Sequence, residues 1–146
     1  MNEPPRQPDA AVGAAHSRVS PLRLLYVESH WLSRKVAWYL MQDVDCVWTY
    51  ADNAAQAVAL AEKAKAESAP FDVVIVDHHQ SAEGSGLRVV RALREAGWAD
   101  TILAIGVEEI TGIERQRYET FDVPFLFLTP ENHADLKAFV RGAARK

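Results

Sequence analysis

The chain has 146 residues, 49% of them hydrophobic, a formal net charge of −4 and a pI of about 5.7. That is enough for one domain with a real core and too little for two. No basic excess points to nucleic acid or an anionic membrane surface as a partner, and no stretch approaches the ~18 apolar residues of a membrane span.

Residues 1–20 hold three of the seven prolines and show no helical or strand periodicity, so a disordered leader is expected there. It lacks the apolar core of a secretory signal. Cys46, the single cysteine, excludes an internal disulfide. A reducing cytoplasm is the expected location.

A single domain over residues 21–146 is expected to follow. Leu22 to Val27 reads as a strand, bounded by Pro21 and by the polar break Glu28-Ser29-His30. Residues 31–42 place Leu32, Val36, Tyr39 and Leu40 at helical spacing, an amphipathic helix with Arg34 and Lys35 facing away. Residues 46–50 are rich in strand formers. Asp52 or Asn53 is expected to cap an alanine-rich helix over residues 54–66.

Phe71-Asp72-Val73-Val74-Ile75-Val76-Asp77 is the central stretch. Its β-branched run is too short for a helix and too apolar for a half-exposed strand, so it reads as a strand covered on both faces. It stops at an acid. Asp77 therefore stands at the carboxyl end of a central strand, the edge of an open α/β sheet where ligands bind.

Leu87, Val90 and Leu93 make a third helix closed by Gly97, and residues 101–105 a fourth buried strand. Residues 108–120 are weakly amphipathic and interrupted by Gly112. A fifth strand is expected over residues 123–128, at a sheet edge because of Pro124, and a last helix over residues 134–143. Strand and helix alternate five times, which predicts a doubly wound, five-stranded parallel sheet between helices.

This order resembles the receiver domain of two-component response regulators, from Leu22 to the end of the last helix. Leu24-Leu25-Tyr26-Val27-Glu28 with Ser33-Arg34 is similar to the receiver opening, and Phe71 to Asp77 to the strand that ends in the phosphoacceptor aspartate. Gly86 to Arg94 is similar to the helix after it, and Leu128-Thr129-Pro130 with Leu136 to the final strand and helix. The resemblance implies a flavodoxin-like (βα)5 fold and a role in phosphorelay signalling. It implies a sensor histidine kinase or another signalling protein as partner, and a weak homodimer through the last helices.

The family's chemistry is attack of a carboxylate on a phosphoryl group, with magnesium, a lysine and a hydroxyl neutralising the oxygens. By this resemblance Asp77 is the candidate phosphoacceptor, and Glu28, Asp77 and the backbone carbonyl of His79 are the candidate magnesium ligands. Several slots depart from the pattern. Ser29 stands where a second acid would, Gly106 at the threonine or serine slot, and Thr129 at the lysine slot. Leu126 replaces the switch aromatic, and the loop after Asp77 is one residue longer and lacks the usual proline. Losing one transition-state donor costs on the order of 3 kcal/mol.

The expectation is therefore a stand-alone pseudo-receiver that signals by protein contact, with little or no phosphorylation and at most weak magnesium binding. It would not be an enzyme beyond its own phosphorylation. A fully functional phosphoacceptor is the alternative. In plainer readings, Asp77 and Glu28 cap helices or loops, the histidines are loop polars and the tryptophans are packing. Convergence of His30, His79 and His133 on the acids would instead suit a transition metal. A flavodoxin-like hydrolase is disfavoured, because no nucleophile sits at a strand end beside a histidine base. Apolar exposure marking a partner is expected on the last two helices, or at Trp31 or Trp98 if these prove exposed.

Overall fold

The computed structural model describes residues 21–79, 86–98, 100–129 and 131–143. The expected leader, most of the loop after Asp77, and Pro130 lie outside these residues.

Five strands, β1 (Leu22–Val27), β2 (Cys46–Ala51), β3 (Val73–Asp77), β4 (Ile102–Gly106) and β5 (Phe125–Phe127), alternate with five helices. The helices are α1 (Trp31–Leu40), α2 (Ala54–Ala66), α3 (Gly86–Glu95), α4 (Gly112–Thr120) and α5 (His133–Ala143). The strands form one parallel sheet in the order β2-β1-β3-β4-β5. Successive strands are added outward in opposite directions on either side of the β1–β3 pair, which makes the carboxyl ends of β1 and β3 the switch point of a doubly wound sheet.

Because β1, β3 and β4 are covered on both faces, nearly all their residues are buried, as the unbroken apolar runs require. Side chains alternate between two cores. Leu25, Val27, Val74 and Val76 pack against α2, α3 and α4; Leu24, Tyr26, Val73 and Ile75 pack against α1 and α5. Close packing of α2 rests on Ala57, Ala61 and Ala64, which let the helix approach the sheet.

Local signals set the helix ends. Asn53, rather than Asp52, caps α2, accepting from the Gln56 amide at 2.8 Å. After α3, Gly97 takes φ 89°, and the amides of Gly97 and Trp98 donate to the carbonyls of Arg94 and Leu93. This paired arrangement needs a left-handed residue, which glycine adopts without strain.

Three expectations are revised. The fourth helix begins at Gly112 rather than residue 108, because Thr111 and Glu114 close a capping box there. Gly112 is thus the first helical residue and not an interruption. The fifth strand is only three residues long, since Pro124 has no amide to extend the ladder. On α1, Leu32, Val36 and Tyr39 are 48%, 49% and 64% exposed, while Ala37 makes the buried contact. The rings of Tyr26, Trp48 and Tyr50, packed with centroids 6.0–6.4 Å apart, fill the space beneath this layer. A small helix residue suffices above them.

Candidate functional site

Two acids meet at the switch point. Asp77 ends β3 and Glu28 follows β1 directly, so the parallel register of β1 and β3 brings their carboxyls into contact. Glu28 is buried, and its Oε1 accepts from the His30 amide at 3.1 Å. Arg34 Nε donates to the Glu28 carbonyl and its guanidinium reaches Asp52, fixing the loop that carries Glu28. Asp77 is half-buried, and its Oδ1 accepts from the His79 amide at 2.9 Å.

Burial, and then the neighbouring Glu28 charge, push the Asp77 carboxyl up to about 6 against the opposing pull of the His79 amide. The same two acids, added to complete burial, raise the Tyr26 phenol well above its ordinary value.

His78 is buried, contrary to its reading as a loop polar. Its Nδ1 faces the Tyr118 hydroxyl, and its Nε2 lies 3.1 Å from Glu114 Oε2. Desolvation depresses its pKa even though Glu114 pulls the other way, so the ring is neutral near pH 7. A neutral imidazole has one donor and one acceptor nitrogen. The Glu114 carboxylate only accepts, so Nε2–H donates to it and the Tyr118 O–H donates to Nδ1. Glu114 and Tyr118 are four apart on α4, one face of a helix, and that spacing was the sequence signal for this pair.

Gly106 ends β4 beneath the Phe125 ring. A Cβ there would lie 3.0 Å from Phe125 Cζ. The ring is held by stacking on Tyr118 at 6.0 Å, by the Arg115 guanidinium 5.4 Å above it and by the edge of His78 at 6.0 Å. Gly86, where α3 starts, is equally constrained, since a Cβ would come within 2.8 Å of the Asp77 carbonyl. Thr129 lies past β5, its amide donating 2.7 Å to Asn132 Oδ1, while Asn132 Nδ2 donates to the Phe127 carbonyl.

Asp77 and Gly106 share a cavity of about 250 Å3, whose wall also includes Tyr26 and His30. Thr129 does not line it. Among the described residues no group of three His, Cys, Asp or Glu side chains could hold a metal ion, so the histidines do not converge as a transition-metal site would require. Large apolar exposure falls mainly on α1, at Trp31, Leu32, Val36 and Tyr39, with Ile113 on α4 and none on α5; Trp98 is buried.

No protein-family model and no curated protein sequence matches the chain. Solved structures do. The chemotaxis protein CheY4 of Vibrio cholerae is 21% identical, with a TM-score of 0.67 over 85% of this chain and 99% of that one. The receiver domain of the histidine kinase CKI1 from Arabidopsis thaliana, complexed with Mg2+ and BeF3−, is 19% identical, with a TM-score of 0.68 over 86% of this chain and 91% of that one. The response regulator TrrA of Thermotoga maritima, in complex with Mg2+ and BeF, is 20% identical, with a TM-score of 0.62 over 84% of this chain and 98% of that one. At these identities the likeness is one of fold, and the chain has the five-stranded flavodoxin-like fold of response-regulator receiver domains.

Proposed function

We propose that the chain is an atypical receiver domain of two-component signalling that acts by protein contact, with weak or no phosphorylation of Asp77. Its partner in this reading is a histidine kinase or another signalling protein. The observation that carries the reading is the packing at Gly106. Where a receiver offers a hydroxyl to the phosphoryl oxygens, this chain has a glycine roofed by an aromatic ring. The lysine slot holds Thr129, outside the cavity wall, so neither group that would neutralise a transferred phosphoryl is supplied.

The donor set fits a loosely held magnesium ion. Asp77 and Glu28 offer hard carboxylate oxygens and His79 a carbonyl, and magnesium accepts one or two carboxylates with water completing its shell. When bound, it would offset the repulsion between the two acids. Glu28 already accepts a backbone amide, which limits what it gives to a metal.

The test is intact mass and amide NMR with acetyl phosphate or beryllofluoride and magnesium, on wild type and Asp77→Asn. The expected result is no stoichiometric phosphoryl mass on either protein. A full phosphoryl mass on wild type alone would make the domain a working phosphoacceptor and overturn the reading.

A further inference from the structure

The cavity beside Asp77 is larger and more apolar than capture of a hydrated ion or a phosphoryl group requires. At about 250 Å3 it compares with an engineered cavity of about 150 Å3 that holds benzene, which scales to about ten non-hydrogen atoms. Leu32, Val36 and Leu40 of α1 form one wall, and Leu128 with Leu136 of α5 the other. The exposed stripe of α1 is therefore partly the rim of this opening. Leu32 and Val36 stay at the surface because they border a cleft and not the sheet.

The polar groups in the wall are few. Among the described residues they are Asp77, Tyr26, His30 and Ser33, and none of the described lining residues is a lysine or arginine. Asp77 has the buried Glu28 carboxyl beside it. An apolar cleft with a few convergent polar groups is the usual form of a small-ligand site, and among the described lining residues the carboxylate is that of Asp77.

We infer that the cleft between α1 and α5 binds a small organic amine, with an aromatic or branched aliphatic body against the leucines and Val36 and its ammonium on Asp77. The chemistry is complementary at both ends. The body removes apolar surface from water, and the ammonium makes a charge-assisted hydrogen bond to a half-buried carboxylate. A cation also relieves the repulsion between Asp77 and Glu28. An anion would add to that repulsion. The site does not depend on whether Asp77 accepts a phosphoryl group.

Phenethylamine is a suitable probe, with phenethyl alcohol as its neutral counterpart. Both are titrated into the labelled chain without phosphoryl donor or divalent ions, at pH 7.5, and followed by amide shifts. Saturable shifts at α1, the end of β3 and α5 are expected with the amine, and at least about tenfold weaker binding of the alcohol, since a hydrogen bond between charged groups is worth that much. Asp77→Asn should reduce amine binding to the level of the alcohol. Val36→Trp, at a half-exposed helix position, should block both, and its own spectrum reports its fold. Equal affinity for amine and alcohol, no saturable shift, or amine binding unchanged in either variant would overturn the inference. Phosphorylation of Asp77 is read separately by mass, so the two proposals fail independently.

Discussion

Asp77 is held where its negative charge costs the fold. Its pKa is raised from 3.8 to about 6, so the folded state binds the proton more tightly than the unfolded chain does. Well below pH 3.8 both states are protonated and the fold is not penalised. As pH rises through 4 to 6 the unfolded chain ionises first, and the folded protein loses stability, by about 1–3 kcal/mol at neutral pH. Asp77→Asn removes this penalty. It should raise the urea midpoint at pH 7.5 in EDTA, with the gain vanishing at about pH 3, below the unfolded value; a variant no more stable than wild type at pH 7.5 would refute the electrostatic account. Asp77 and Glu28 were legible as a pair because each ends an apolar run, and parallel pairing of such runs aligns their ends. His78 was not. Its burial depends on Glu114 and Tyr118, 36 and 40 residues away, and a histidine in a polar loop gives no local sign of them.

At the scale of elements, α4 owes its start to a few atoms. Thr111 Oγ1 accepts from the Glu114 amide at 3.1 Å, and Glu114 Oε1 accepts from the Thr111 amide at 3.0 Å. Thr111→Ala leaves the Glu114 amide without its partner and should cost about 1 kcal/mol, measured as a lower urea midpoint at unchanged slope. A loss of less than a quarter of that, the midpoint shift times the slope, would mean that packing of Tyr118 alone sets the helix start. The threonine-to-glutamate spacing was present in the sequence, but weak amphipathicity ahead of it invited an earlier boundary. The α1 helix teaches the opposite lesson. Its periodicity was real and its burial was not, because hydrophobic spacing identifies a face without saying whether protein, ligand or partner covers it.

For the molecule as a whole, alternation of buried strands with helices was sufficient to predict the sheet, and the acids at its switch point followed. The departures lie where side chains from different βα units meet, above all at Phe125 over Gly106 and His78 under α4. Sequence periodicity describes each unit separately and carries no information about such junctions. The His78 contacts have a mechanical consequence. Through them the residue after Asp77 is clamped to Glu114 and Tyr118, so the end of the central strand and α4 cannot part without breaking both contacts and exposing an imidazole and a phenol at once. They should open as one cooperative unit. In native-state hydrogen exchange the amides of His78 and of the second half of α4 should share one opening free energy, and Tyr118→Phe should lower it for both. A disturbance at the acid pair, such as loss of the Asp77 charge, would then reach the surface by displacing a whole helix, all or none, and not by loosening a loop.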